Sequence, residues 1–144
     1  MDTPLRLLDT NILVHYVRDD ETWSHIRDDY QLLVVEPTPL ISIVTAGELR
    51  SLSHQWNWGR GKRDRMEFVL GYFITLPVDS PEQVLMYAEI DSFCLEQGRI
   101  MGKNDLWIAA TAALTDARLL TSDRDFDLLD RVFLSLELAH APES

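Results

Sequence analysis

Short apolar runs alternate with segments of helical periodicity along this chain. Residues 5–8 form an apolar run typical of a strand, and apolar side chains then recur at helical spacing over residues 12–17. The period therefore changes at Asp9, which predicts a turn from a strand into a helix. Further strands are predicted at residues 40–44, 73–76 and 118–121, with an edge strand at 132–136.

Helical segments fill the intervals between these strands. The periodicity and the turn residues predict helices at residues 21–33, from Thr45 onward, at 62–72, 80–97 and 104–114, and a helical turn at 126–130. The start at Ser80-Pro81-Glu82-Gln83 has the sequence of a capping box, and Gly98 is suited to end that helix. Alternating strands and helices predict an α/β fold with a central, mostly parallel sheet of four to five strands, flanked by helices on both faces.

Length and composition are those of one globular domain. The chain has 144 residues, 46% of them apolar and 26% charged, which suits a single core spanning residues 1–144. No apolar run approaches the ~18 residues of a membrane span, and no secretory signal precedes the first strand, so we expect a cytoplasmic protein without a membrane contact. A lone cysteine, Cys94, lies between Phe93 and Leu95 and is interpreted as a packing residue.

The charge balance opposes general nucleic-acid binding, with one local exception. A net charge of −11 leaves few cations for non-specific phosphate contacts. A basic stretch nevertheless follows two tryptophans, and such a mixture of cations and aromatic faces suits a single-stranded nucleic acid. A solvated basic turn explains the same composition equally well. The residues are Trp56, Trp58, Arg60, Lys62, Arg63 and Arg65.

Four carboxylates stand at strand ends or helix starts. Asp9 follows the first strand, and Asp123 follows the fourth. Glu48 lies early in the helix after the second strand, and Asp105 begins a buried helix. The carboxyl ends of parallel strands share one edge of the sheet, so these side chains should converge there. Crowded carboxylates repel one another unless a cation lies between them. Oxygen-only ligands select Mg²⁺ or Mn²⁺, which support phosphodiester hydrolysis by metal-activated water.

Each carboxylate also has a purely structural interpretation. Glu48 could close a capping box with Thr45, Asp105 could favour a helix N-terminus through the helix dipole, and Asp123 could form a turn. Asp9 is the hardest to explain this way, because an ionised group directly after an apolar strand serves no evident structural purpose.

Competing sites fail on spacing. Asp123, Asp125 and Asp127 imitate the start of a calcium-binding loop, but Leu128 stands where that loop needs glycine and Leu134 where it needs glutamate. The chain also lacks a glycine-rich phosphate loop and a serine nucleophile elbow.

The carboxylates lie in four ordered motifs that resemble those of PIN-domain nucleases, in particular the VapC-type toxins of bacterial toxin–antitoxin pairs. The resemblance covers essentially the whole chain, and the order and spacing of the motifs make it specific. The motifs are Leu8-Asp9-Thr10-Asn11, Thr45-Ala46-Gly47-Glu48-Leu49, the stretch from Asn104 to Ala112, and the stretch from Leu120 to Phe126.

The resemblance implies a Mg²⁺- or Mn²⁺-dependent endoribonuclease with a single PIN-like domain. Asp9 and Asp105 would contact the metal most directly, while Glu48 and Asp123 would contribute directly or through water. The resemblance further implies support from the side chains of Thr10, Asn11, Ser122 and Asp127.

The same resemblance implies that the substrate is RNA. It also implies that the protein binds a cognate antitoxin protein and forms a homodimer. Residues of about 45–72 would form a helical clip-like element, which gives the basic stretch a role in gripping RNA or antitoxin. A rival interpretation is a non-catalytic module that uses its acidic groove to hold a basic partner protein. A flap-type DNA nuclease on a related fold is disfavoured, because the short chain leaves no room for a threading arch.

Overall fold

Five parallel strands form the central sheet of the structure, a computed structural model that describes residues 3–139. The spatial order is β3-β2-β1-β4-β5, and every neighbouring pair is parallel. The sequence-based expectation of a mostly parallel sheet is therefore confirmed. The strands are β1 (Arg6–Leu8), β2 (Leu40–Ser42), β3 (Ile74–Leu76), β4 (Arg118–Thr121) and β5 (Ser135–Leu138).

Six α-helices and one 3₁₀-helix connect these strands. The helices are α1 (Thr10–Arg18), α2 (Glu21–Tyr30), α3 (Ile43–Gln55), α4 (Arg60–Tyr72), α5 (Pro81–Glu96) and α6 (Lys103–Leu114), and the 3₁₀-helix spans Arg124–Leu129. Within the part of the chain that the structure describes, no helix is long and apolar enough to cross a membrane.

The strand register divides the hydrophobic core into two layers. Leu8 lies opposite Ile41 and Leu120, and all three pack in the layer that also holds buried residues of α1, α2, α3 and α4. Leu7 and its pairing partners point to the other face, where α5, α6 and the 3₁₀-helix pack. Successive residues of a strand face opposite sides, so these short strands are apolar on both faces.

The strand order reverses direction next to β1. From β1 the chain proceeds outward to β2 and β3 on one side, and it later returns to add β4 and β5 on the other. Open α/β sheets bind ligands at the carboxyl ends of strands beside such a switch point. In this chain the residues at that position are Asp9, after β1, and Ser122 and Asp123, after β4.

Two helix starts differ from the sequence-based expectation. Ser42 caps α3, since its Oγ accepts a hydrogen bond of 3.0 Å from the Val44 N–H, and the helix therefore begins before Thr45. Gly102 stands at the cap of α6 without a side-chain hydrogen bond. Asn104 and Asp105 consequently lie in the first turn of α6 and do not cap it.

The ends of several other helices and strands also differ from the sequence-based prediction. The 21–33 helix ends at Tyr30, because Gln31 adopts φ +56° and so leaves the helical region. The helix predicted from residue 62 begins at Arg60, which places Gly61 inside it. The edge strand occupies 135–138 in place of 132–136, since residues 131–133 form the turn before it.

The start and end of α5 agree with the sequence. Ser80 Oγ accepts from the Gln83 N–H at 3.1 Å, and Gln83 Oε1 accepts from the Ser80 N–H at 3.1 Å. Gly98 follows the helix with φ +75°, a conformation that favours glycine. The capping box and the terminal glycine are thus confirmed, and Cys94 is buried within the core as a packing residue.

Candidate functional site

Asp9 is held rigidly between β1 and α1. It is only 4% exposed, and its backbone N–H extends the sheet by donating to the Leu120 carbonyl at 2.9 Å. Its Oδ1 caps α1 by accepting from the Thr10 N–H at 2.8 Å. Its Oδ2 accepts from Thr121 Oγ1 at 2.8 Å. Both carboxylate oxygens are therefore oriented by the protein before any ligand binds.

Thr121 connects the elements around Asp9. Its Oγ1 donates to Asp9 and accepts from Asn11 Nδ2 at 3.2 Å and from the Asp123 N–H at 3.0 Å. Asn11 Oδ1 in turn accepts from the Ser122 N–H at 3.2 Å. Asn11 is thus connected to Asp9 by hydrogen bonds that pass through Thr121. Ser122 joins this network through its backbone N–H and not through its side chain.

Glu48 belongs to a second group of hydroxyls. Thr10 Oγ1 donates to Glu48 Oε1 at 2.7 Å and lies 3.0 Å from the Thr45 Oγ1. The capping box between Thr45 and Glu48 is wrong, because α3 begins at Ile43 and Ser42 is its cap. Glu48 consequently lies in the second turn of α3, where its carboxylate faces the start of α1.

Asp105 and Asp123 complete the acidic edge. Asp105 is half-buried in the first turn of α6, where the charges of Glu48, Asp123 and Asp125 act on it. Asp123 Oδ1 also accepts from the Asp125 N–H at 2.9 Å and so begins the 3₁₀-helix. The turn-forming interpretation of Asp123 is therefore confirmed, and it leaves the other carboxylate oxygen of Asp123 without a hydrogen bond to the described residues.

Asp127, which the resemblance names as a supporting residue, pairs within the 3₁₀-helix. Asp127 lies 3.4 Å from Arg124 in an ion pair on the exposed side of the 3₁₀-helix. Asp125, two residues earlier, is the side chain of that helix whose charge acts on Asp105. Asp125 therefore lies close enough to Asp105 for its charge to act there. Asp127 instead forms an ion pair with Arg124 within the 3₁₀-helix.

Burial and mutual repulsion make two of these carboxyl groups hold protons more tightly. Burial, opposed by the Thr121 hydrogen bond and reinforced by the Asp105 charge, raises the pKa of Asp9 from 3.8 to about 7. Burial, followed by the charges of Glu48, Asp123 and Asp125, raises the pKa of Asp105 from 3.8 to about 6. The site therefore gathers negative charge that the protein does not itself neutralise.

A hard divalent cation fits this set of donors. All the donors are carboxylate or hydroxyl oxygens, and a cation offsets the burial and the like charges that raise both pKa values. Within residues 3–139, no three His, Cys, Asp or Glu side chains form a group that could hold an ion as they stand. Mg²⁺ commonly keeps several waters and binds one or two carboxylates, so Asp9 and Asp105, with water-mediated help from Glu48 and Asp123, are suitable ligands.

Three adjoining recesses form a groove across this acidic edge. The first, of about 460 Å³, follows one face of α3 from Val44 to Gln55 and ends at Asn104. The second, of about 410 Å³, shares Glu48 and Asn104 with the first. The third, of about 100 Å³, shares Asp105 with the second and continues to Asp125. A linear polymer could therefore lie along α3 and pass over Asp105.

The basic stretch is only partly available for binding. Trp58 is 6% exposed and packs in the core, so its expected role in stacking on a nucleic acid is wrong. Arg65 donates to the Tyr16 carbonyl from Nε at 3.0 Å and from Nη2 at 2.6 Å, and its guanidinium lies 4.0 Å from the centre of the Tyr16 ring. Arg65 therefore joins α4 to α1.

The remaining members of the stretch stay accessible. Trp56 is 46% exposed, with the Arg18 guanidinium 4.7 Å from the centre of its ring. Arg60 lies 3.9 Å from Asp64 in an exposed pair. Lys62 and Arg63 are exposed and form no ion pair within the described residues.

Hydrophobic pattern alone did not reveal Thr121, Thr45 or Asp125. Thr121 and Thr45 are buried at the ends of apolar segments, where a threonine is indistinguishable from a β-branched packing residue. The signal that could have found them is their position: each lies within three residues of a strand end that meets the acidic edge.

Comparison with known proteins identifies similar chains. The family model described as "PIN domain" matches residues 6–132. Ribonuclease VapC5 from Mycobacterium tuberculosis is 45% identical over 56 residues, which cover 39% of this chain and only 41% of that relative.

Solved structures resemble the chain over nearly its whole length. VapBC2 from Rickettsia felis, bound to a DNA fragment from its promoter, has a TM-score of 0.77 at 23% identity, covering 93% of this chain and 98% of that one. VapBC-5 from Mycobacterium tuberculosis, a member of the VapBC family of toxin–antitoxin systems, has a TM-score of 0.67 at 28% identity, covering 96% and 99%.

Proposed function

The chain belongs to the PIN-domain family, and from that premise we propose that it is a divalent-metal-dependent endoribonuclease, the toxin of a toxin–antitoxin pair. The proposal rests chiefly on one observation, the convergence of Asp9, Glu48, Asp105 and Asp123 at the switch point of the sheet. Its support from relatives is the match to ribonuclease VapC5, which covers part of each chain.

The chemistry follows from the acidic edge. A bound Mg²⁺ or Mn²⁺ would lower the pKa of its water to give a nucleophile near neutral pH and offset charge on the phosphate. Asp9 and Asp105 would hold this ion, and Glu48 and Asp123 would orient its waters. The hydrogen bonds from Thr121 and Thr10 keep Asp9 and Glu48 in fixed orientations, so little reorganisation is needed when RNA arrives. By family resemblance the products carry a 5′-phosphate and a 3′-hydroxyl.

The proposal is tested by expressing the wild type and the variants Asp9→Asn and Asp105→Asn, and mapping new 5′ ends across total RNA. We expect cleavage by the wild type with Mg²⁺ or Mn²⁺, loss of cleavage in EDTA, and at least ~100-fold lower activity in each variant, because each removes a charge that would hold the ion. The map of 5′ ends also identifies the RNA that is cut.

Asp116→Asn is the matched control for these variants. Asp116 is exposed at the opposite end of the sheet, beside the start of β4, and the change also removes one negative charge. It should leave cleavage unchanged. Undiminished cleavage in EDTA, or full activity of Asp9→Asn, would falsify the assignment and favour a metal-independent role such as a binding module for a basic protein.

We also propose a cognate antitoxin and a homodimer. The antitoxin is supported by the likeness to VapBC-5, which comes from a toxin–antitoxin system. The dimer is supported by exposed apolar side chains on α5 and α6, where Val84, Leu85 and Leu114 are 57%, 67% and 43% exposed. Light scattering on the purified protein, alone and with the product of the adjacent reading frame, would contradict these proposals if it gave only a monomer.

A further inference from the structure

The loop between α5 and α6 lies directly on the groove that crosses the acidic edge. It runs from Gly98 to Gly102, and its residues line the recess that contains Asp105 and Asp125. Ile100 in this loop is 89% exposed, so it has no packing role within the described chain. Met101 packs against the core, whereas Arg99 and Ile100 are exposed beside the proposed reaction site.

Two cations line different recesses, each of which contains Asp105. Lys103, the first residue of α6, lines the recess that contains Glu48 and Asp105. Arg99 lines the neighbouring recess that contains Asp105 and Asp125. Both side chains are exposed, and neither forms an ion pair or a side-chain hydrogen bond with any residue from 3 to 139. They therefore do not neutralise the nearby carboxylates.

Most other cations of the described chain already have a partner. Arg18 lies over the Trp56 ring. Six further arginines form ion pairs: Arg6, Arg27, Arg50, Arg60, Arg65 and Arg124. Arg118 and Arg131 lie at the opposite end of the sheet. Lys62 and Arg63 lie in the first turn of α4, and neither lines the two recesses that contain Asp105.

On the basis of the proposed ribonuclease function, we propose that Lys103 and Arg99 hold the RNA backbone on the two sides of the scissile phosphate. A strongly acidic site repels RNA, so productive binding requires positive charge within reach of the flanking phosphates. Lys103 would contact a phosphate on the α3 side of Asp105, and Arg99 would contact one on the side of the 3₁₀-helix. The occupant is single-stranded RNA, because its flexible backbone can bring successive phosphates to both side chains.

The test compares Lys103→Gln and Arg99→Gln with Arg131→Gln, which removes the same charge at the opposite end of the sheet. Cleavage of an RNA oligonucleotide that spans a mapped wild-type site gives kcat and KM. Fluorescence anisotropy with the same RNA in EDTA gives the dissociation constant at several salt concentrations. For each groove variant we expect KM and the dissociation constant to rise by about threefold or more, with kcat nearly unchanged, and the salt slope to fall by about 0.7.

Each result separates this inference from the proposed function. If the wild type does not cleave RNA, the function itself fails. If the wild type cleaves but both groove variants match Arg131→Gln in KM and salt slope, the inference is overturned. A fall in kcat with unchanged KM also overturns it, since it would assign the side chains to the chemical step or to the fold. Equal RNA binding with weakened binding of the antitoxin would show that the two cations serve a protein partner.

Discussion

At the scale of single residues, the Thr121 hydroxyl connects the groups of the acidic edge by hydrogen bonds. A hydroxyl offers one donor and two acceptor positions, and Thr121 uses all three, on Asp9, Asn11 and the backbone of Asp123. It therefore fixes the ends of β1 and β4 relative to each other. The bond to Asp9 also lowers the pKa of that carboxyl group, partly offsetting the effect of burial.

Replacing Thr121 by valine should weaken both stability and metal binding. Valine preserves the volume but leaves Asn11 Nδ2 and the Asp123 N–H without their buried partner, a loss of about 1–3 kcal/mol. Without the hydrogen bond the pKa of Asp9 rises further, so Mn²⁺ must displace a proton more often and binds about 10–100-fold more weakly. Urea unfolding and calorimetric Mn²⁺ titration measure the two effects.

Thr121→Ser provides the matched control, because it keeps the hydroxyl and removes only a methyl group. We expect its Mn²⁺ affinity to remain close to that of the wild type. Equal Mn²⁺ binding by Thr121→Val would contradict the role given to the hydroxyl, even if the variant were less stable.

The sequence pointed to the four carboxylates and to Thr10, which donates to Glu48, but not to Thr121, which donates to Asp9. Carboxylates after apolar strands are conspicuous, since burial of an ionised group needs a special reason. The end of β4 at Thr121 was predicted correctly, but the choice between Ser122 and Thr121 also depends on the register of β4 with β1, which pairs Leu8 with Leu120. That register is not encoded locally. Trp58 was misassigned for a related reason: its burial arises from the packing of α3 and α4 onto α1.

At the scale of secondary structure elements, α3 contains a glycine that its helical conformation does not require. A Cβ at Gly47 would meet no atom within 4 Å, so neither packing nor backbone geometry excludes alanine. Glycine inside a helix costs about 0.5–1 kcal/mol relative to alanine. Gly47 lines the groove beside Glu48, which suggests that its small size keeps the groove open.

Substitutions at Gly47 should separate helix stability from access to the groove. Gly47→Ala is expected to raise the free energy of unfolding by about 0.5–1 kcal/mol and to retain cleavage, because one methyl group fills little of the recess. Gly47→Leu should obstruct the groove and reduce RNA binding and cleavage while leaving the protein folded. Urea unfolding and RNA cleavage are the two measurements.

Gly71→Ala in α4 is the control, since a Cβ there also meets nothing within 4 Å and Gly71 lies outside the groove. It should stabilise the protein without a change in cleavage. Full RNA binding and cleavage by a folded Gly47→Leu variant would show that RNA does not follow this face of α3.

The start of α5 was predictable because two side chains form a reciprocal capping box there. Ser80 and Gln83 bond each other's backbones, so four local residues define the start of α5. The starts of α3 and α6 depend on Ser42 and Gly102, and the first of these is also the last residue of β2. Ser42 belongs to both elements and carries no separate local signal, and Gly102 has no side chain to form a cap, so the residue pattern favours Thr45 and Asn104 as the helix starts.

At the scale of the whole molecule, a stable apolar core supports an acidic edge that lowers the stability of the folded protein. Two apolar layers cover the faces of the sheet, while Asp9 and Asp105 are held where burial and like charges oppose ionisation. The general α/β architecture was predictable from alternating periodicities. The strand order, which creates this edge, depends on long-range pairing between segments more than 100 residues apart.

The burial and mutual repulsion of the carboxylates at this edge predict how the stability of the fold depends on pH and on bound metal. The native pKa of Asp9 is about 7 and that of Asp105 about 6, against 3.8 for an unperturbed carboxyl group. Between pH 4 and 7 the native state therefore binds more protons than the unfolded state, and its free energy of unfolding falls as the pH rises. In EDTA we expect the melting temperature to decrease from pH 5 to pH 8, and less steeply for Asp9→Asn than for the wild type or Asp116→Asn.

Bound Mn²⁺ should reverse this loss at pH 8, because it binds the ionised native site and not the unfolded chain. At about 100 times its dissociation constant, such a ligand adds about 2.7 kcal/mol, or about 5–10 °C in the melting temperature of a chain of this size. Asp9→Asn should already be more stable than the wild type in EDTA, since it carries no buried charge, yet gain little from Mn²⁺. Coincident melting curves of the wild type with Mn²⁺ and with EDTA would mean that the acidic edge does not bind the ion. The four carboxylates would then be better explained as a surface for a basic protein.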